Sequence, residues 1–187
     1  MLPAIAICQT SASVDTLKSF WGIKFGEKKE VAKKVLYTKG NVTITEKTEG
    51  NMSILSVSNA VFSDKKVLLL ILKFVNDKFF QATLNYDTEA PNIRRDFESI
   101  ANALNEKCFV VKTYGDFKYP YKENDQYEET ALATGYGKLV AYWSFAQERG
   151  ISLETKKLET FSVICLIYED GALYEEAHKE NIQNSDY

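Results

Sequence analysis

A chain of 187 residues with 45% hydrophobic and 26% charged residues has an ordinary globular composition and enough mass for one two-part core. The formal net charge is −3, with acidic and basic residues interleaved and no basic stripe, which argues against binding to a phosphate backbone. No nucleic-acid partner is expected. The longest internal apolar run, Val67 to Leu72, is far short of the ~20 residues that cross a bilayer as a helix, so no transmembrane segment is expected either.

The chain opens on Leu2-Pro3-Ala4-Ile5-Ala6-Ile7-Cys8-Gln9, which reads as the end of an apolar signal segment. Ala6 and Cys8 would be the small residues of the cleavage site and Gln9 the first mature residue. The competing reading is a short apolar strand. Cleavage would leave Cys108 and Cys165, a pair that an oxidising compartment could join. Their apolar surroundings favour two reduced core thiols instead.

The lead-in Phe20 to Gly26 alternates apolar and small residues and ends on a turn. A first helix follows from about Lys28 to Lys39, because Val31, Ala32, Val35 and Leu36 share one helical face and Gly40 supplies the stop. Strands are expected at Val42 to Thr45, Met52 to Val57 and Lys66 to Phe74. Asn76-Asp77 then makes a two-residue hairpin turn into a strand from Lys78 to Tyr86.

Pro91 closes an acidic linker. A second helix runs from about Asn92 to Lys107 with Phe97, Ile100, Ala101, Leu104 and Cys108 on its apolar stripe. Further strands are expected at Phe109 to Tyr114, Leu139 to Phe145, Ile151 to Thr155 and Phe161 to Tyr168. Asp170-Gly171 reads as a hairpin turn into Ala172 to Tyr174, and the remainder as a frayed helix or a polar tail.

The resulting fold class is α+β, a tandem of two unequal helix-plus-antiparallel-sheet halves in two layers. Residues 1–8 are the signal remnant, 9–90 the first half, 91–174 the second half and 175–187 the tail. The second half is longer by about 26 residues, and the surplus lies in a Tyr-rich insertion at about 115–138. A connection of that length in a compact domain is functional or disordered.

Catalytic chemistry finds no motif. His178, the only histidine, lies in the tail, so a Ser-His or Cys-His pair would place its base on the most mobile segment. Gly135-Tyr136-Gly137-Lys138 lacks the spacing of a phosphate loop and reads as a turn before a strand. Glu123, Asp125, Glu128 and Glu129 cluster, but carboxylate catalysis needs two acids in different environments, and the spacing is not that of a calcium loop. No cofactor and no metal are expected. Trp21 and Trp143 read as core residues. What remains is tyrosine, which gives large, rigid, amphipathic contact area at low entropic cost. Tyr114, Tyr119, Tyr121, Tyr127 and Tyr136 are the candidate binding residues, unless their rings fold back to cover a sheet face.

The order of a helix and then antiparallel strands, twice over, resembles the tandem architecture of the β-lactamase inhibitory protein family and the layout of small outer-membrane assembly lipoproteins. Phe20-Trp21-Gly22-Ile23-Lys24-Phe25-Gly26 with Glu30 to Leu36 also looks like the opening of many exported bacterial proteins of unknown function. The runs ending in Trp143, Ile151-Ser152-Leu153 and Ile167-Tyr168-Glu169-Asp170 share that character. The resemblance spans about Phe20 to Tyr174 and implies a non-catalytic, periplasmic or secreted protein that binds another protein or macromolecule. Two other expectations stand beside it. One is a small-ligand binder, or an enzyme using carboxylates and tyrosines in a sheet-lined cleft. The other is a cytoplasmic immunity or regulatory protein.

Overall fold

The computed structural model describes residues 17–106 and 112–183. Cys8, Cys108 and the Leu2 to Gln9 segment lie outside the described residues. The fold is α+β, and its principal sheet is antiparallel throughout.

A small hairpin, β1 (Ser19–Phe20) and β2 (Ile23–Lys24), turns at Trp21-Gly22, both with positive φ. Helix α1 (Lys29–Tyr37) buries Ala32 and Leu36. Val31, expected on the buried stripe, is exposed: nine residues make only two and a half turns, and the apolar stripe narrows to the line through Ala32 and Leu36. Strands β3 (Thr43–Glu49) and β4 (Met52–Ser58) follow. A second small hairpin, β5 (Val61–Phe62) and β6 (Lys65–Lys66), separates β4 from β7 (Leu69–Val75). The strand expected from Lys66 therefore begins three residues later, because Lys66 pairs back on Val61.

Asn76-Asp77 forms the expected two-residue turn, with φ of 49° and 64°, into β8 (Lys78–Thr88). Helix α2 (Ile93–Asn105) buries Ile93, Phe97, Ile100, Ala101 and Leu104, as its periodicity requires. Strand β9 (Lys112–Phe117), helix α3 (Glu128–Thr134), and strands β10 (Gly137–Ser144), β11 (Arg149–Lys157) and β12 (Ser162–Asp170) complete the sheet region. Gly171 does not turn a hairpin. It opens α4 (Gly171–Gln183), whose Leu173 N–H donates to Asp170 Oδ1 at 3.1 Å.

Eight strands form one sheet in the order β3-β4-β7-β8-β12-β11-β10-β9. The final strands of the two successive runs meet in the middle, where Ala82, Leu84 and Tyr86 of β8 face Tyr168, Leu166 and Ile164 of β12. Alternation divides the side chains between two faces. One face carries Leu55, Leu72, Leu84, Leu166, Leu153 and Trp143 and packs with α1, α2 and α3 into the main core. Phe20, Phe62 and Tyr168 fill that core as an aromatic group, with centroids 5.1 Å (Phe20–Tyr168) and 5.5 Å (Phe20–Phe62) apart.

The opposite face is covered at one end by α4. A β-bulge between the pairs Phe74–Phe79 and Lys73–Gln81 inserts Phe80 as an extra residue. Phe79 then stays in the main core while Phe80 joins Val75 beneath α4, against Ala177 of that helix. Arg149 ties the chain's lead-in to this end. It donates to Asp170 at 2.7 Å and to the Leu17 carbonyl at 3.1 Å, and its guanidinium lies 5.2 Å from the Phe25 ring centroid.

Candidate functional site

The insertion between β9 and β10 spans residues 118–136, and its two ends stay in register. Phe117 pairs with Gly137, and the Lys118 N–H donates to the Tyr136 carbonyl at 2.8 Å, which extends the ladder by one pair. Between them the chain makes a turn at Lys118–Tyr121, closed by the Tyr121 N–H on the Lys118 carbonyl at 3.0 Å. It then winds into α3, which ends on Gly135 at φ 80°, a left-handed position that glycine fills without strain.

Helix α3 extends the helical layer over the sheet, because Ala131 and Leu132 are buried. The sheet face under the insertion is thus covered by aliphatic side chains and not by the tyrosines. Gly137 is required there: a Cβ would come within 2.5 Å of the Phe117 ring and 3.2 Å of Ala131.

The acidic cluster turns out to be a fastening. Glu129 accepts hydrogen bonds from the Ile93 and Arg94 amides at 3.1 and 3.0 Å, so a carboxylate from α3 caps the N-terminus of α2. Asn92, the residue at that helix's own cap position, makes no side-chain capping bond. Buried Glu128 accepts from Arg94 Nε and from the Asn124 amide. Arg94 also reaches Glu98 at 3.2 Å and Glu123 at 3.4 Å. Asp125 accepts from the Lys122 and Tyr127 amides at 3.1 and 2.8 Å. Among the described residues, no group of three or more His, Cys, Asp or Glu is arranged to hold a metal ion.

The five candidate tyrosines fall into separate positions. Tyr114 lies on β9 on the face away from the helical layer, exposed, with its ring centroid 6.4 Å from that of Tyr142 on β10. Lys112 Nζ sits 4.8 Å from the Tyr114 centroid. Tyr121 and Tyr136 pair with centroids 5.7 Å apart. Tyr119, at the tip of the turn, is 93% exposed. Tyr127 is exposed beside the start of α3, and among the described residues no ring contact joins it to the other four.

Alternation from the Lys118–Tyr136 pair puts Tyr136, Lys138, Val140 and Tyr142 on one side of β10, with Lys112, Tyr114, Asp116 and Lys118 beside them on β9. Tyr142 is the member that motif reading overlooks. Its signal was present in Leu139-Val140-Ala141-Tyr142-Trp143, where a buried Trp143 obliges Tyr142 to point the other way.

Electrostatics tighten this patch. Desolvation and the hydrogen bond with Tyr114 push the Tyr142 phenol's pKa up. Partial burial works against the Lys138 charge, but Glu154, 2.5 Å from Nζ, outweighs it and the pKa is raised. Both groups keep their protons well above neutrality, so the patch presents hydroxyls and ammonium groups. Two other sequence expectations concern residues outside the patch. Trp143 is buried and donates to Asn105 Oδ1 at 2.9 Å. His178 lies exposed on α4 with its ring 4.0 Å from that of Tyr174.

No family model, no curated protein and no solved structure matches the chain. Among the described residues, no helix is long and apolar enough to cross a membrane.

Proposed function

We propose that this chain is a non-catalytic binding protein that engages a protein or other macromolecule through the tyrosine-bearing edge formed by β9, β10 and their connecting turn. The observation that carries this reading is the distribution of exposed aromatic surface. Of the seven exposed tyrosines among the described residues, five (Tyr114, Tyr119, Tyr127, Tyr136 and Tyr142) lie in this one segment, so the exposure is local. Tyrosine held on a sheet loses little entropy on contact and offers both a ring face and a hydroxyl. The carboxylates that a hydrolytic reading would need are committed to Arg94 and to backbone amides.

The setting we propose is the periplasm or the exterior of a bacterial cell, on the strength of the signal-like Leu2 to Gln9 segment. N-terminal sequencing of the natural protein checks this: a chain beginning at Gln9 supports export, and retention of residues 1–8 removes its ground.

Excising the insertion would be a poor test of the surface, because it would also remove Leu132 from the core and Glu129 from the α2 terminus. Point substitutions avoid this. Capture from the source organism's extract by the wild type and by the double variants Tyr114→Ala/Tyr142→Ala and Tyr119→Ala/Tyr136→Ala should show at least tenfold less of the principal partner with one variant or both. Equal capture by both folded variants would place the site elsewhere.

A further inference from the structure

We propose that the partner contributes an extended acidic segment that adds to the outer edge of β9 as a ninth strand. This inference rests on the reading of the β9–β10 edge as the binding surface and specifies how that surface is used.

Strands β3 and β9 are the two edges of the large sheet, and the edges differ. On β3, Glu46, Lys47 and Glu49 put charge of both signs along the edge, the usual protection against strand addition. Glu46 is further held by Lys29 and Lys33 of α1, at 2.5 and 2.6 Å. Strand β9, Lys-Thr-Tyr-Gly-Asp-Phe, carries only Lys112 and Asp116 as charged residues, with Thr113, Tyr114 and Gly115 between them.

The hydrogen-bonding phase of that edge can be read from its partner. The Lys118 amide bonds to Tyr136 on β10, so alternation turns the amides of Lys112, Tyr114 and Asp116 toward β10 and those of Thr113, Gly115 and Phe117 outward. Among the described residues no strand pairs with that outer side. Main-chain donors and acceptors presented in this way are what an added strand uses for affinity, while alternate side chains set its specificity.

The flanking side chains define that specificity. On the face bearing the tyrosines, the three strands β9, β10 and β11, with Lys118 just beyond β9, present Lys112, Lys118, Lys138 and Lys156 against Asp116 and Glu154. Four ammonium groups against two carboxylates is a local positive excess in a chain whose net charge is −3. On this face an incoming strand therefore meets Lys112, Tyr114, Asp116 and Lys118 in turn, two carboxylate-seeking ammonium groups and a tyrosine hydroxyl against one carboxylate, with Lys138 and Lys156 behind them. On the other face it meets Phe117, and Glu123 packed close to Gly115, which favour apolar residues over acidic ones. The recognised segment alternates acidic and apolar residues.

The test uses the full chain and a fluorescein-labelled octapeptide of alternating valine and glutamate, with an alternating valine and lysine peptide as control, read by fluorescence anisotropy at low and moderate salt. The acidic peptide should bind and the basic one should bind at least tenfold more weakly. Thr113→Pro removes one outward amide and no bond to β10, a place where an edge strand tolerates proline. It should weaken binding at least tenfold, while Thr113→Ala stays within twofold of the wild type. Lys112→Glu with Lys118→Glu should also cost at least tenfold and flatten the salt dependence. Circular dichroism establishes that each variant is folded.

Wild-type affinity in folded Thr113→Pro, equal binding of both peptides, or no binding at millimolar peptide would each overturn strand addition by an acidic segment. So would dimerisation of the wild type that Thr113→Pro abolishes, since the edge would then belong to a second copy. None of these results touches the broader reading, which falls only if the tyrosine variants capture the natural partner as the wild type does.

Discussion

Cys165 shows how a single side chain reports its surroundings. It is a free thiol on the sheet face opposite the helical layer, buried among strands, and it donates to Asn85 Oδ1 at 3.2 Å. Burial, with a smaller contribution from Glu154, pushes its pKa up to about 11. A thiol in the unfolded chain titrates near ~8.5. The folded form therefore holds its proton longer, so this contribution is complete below about pH 8.5 and is lost as pH rises from there to about 11. Urea unfolding at pH 8 and pH 10 should show the wild type losing about 2 kcal/mol more than Cys165→Ala over that interval. Parallel losses in the two proteins would mean that the thiol is not desolvated. Arg149 makes the complementary point. A guanidinium bonded to Asp170 and to the Leu17 carbonyl is invisible in a sequence that places those groups 21 and 132 residues away.

Between elements, the decisive contact is α3 on α2. The sequence shows α2 plainly, because Phe97, Ile100 and Leu104 repeat at helical spacing through a long element. It conceals α3, whose seven residues bury only Ala131 and Leu132 as apolar anchors among polar neighbours. A helix that short has little stability of its own and forms because the sheet and α2 receive it. The cap that Glu129 supplies is therefore mutual. Glu129→Ala should lower stability by about 1–2 kcal/mol, which is roughly 3–6 °C in Tm for a chain of this size. A melting temperature within 1 °C of the wild type would show that the carboxylate adds nothing to α2. The Asp170-Gly171 turn was misleading for a related reason: Asp170 instead accepts the Leu173 amide and starts a helix, a role that Asp fills as readily as a turn.

At the scale of the molecule, β8 and β12 join the two four-stranded runs into one sheet, and one core runs beneath both. Trp21 lies in the first run's territory and Trp143 in the second. Single-tryptophan variants made by Trp21→Phe or Trp143→Phe should unfold in denaturant at coincident midpoints, both matching the loss of far-ultraviolet dichroism. Separated midpoints would show that each run is a domain with its own stability.

The sequence alone determined most of the elements, because strand alternation, helical spacing and the Asn76-Asp77 turn are local signals that any tertiary arrangement must respect. It also singled out tyrosine between 114 and 136 as unusual. Tertiary structure decided which of those rings share a surface: Tyr114 acquires Tyr142 across a ladder that pairs Tyr114 with Val140 and Lys112 with Tyr142. It likewise decided that the acidic cluster fastens two helices, since a carboxylate's role depends on which amides and cations the fold brings within 3 Å. The position of β9 at the edge of the sheet, among the described residues, is the clearest case. Strand order is a property of the assembled sheet, and no window of residues contains it.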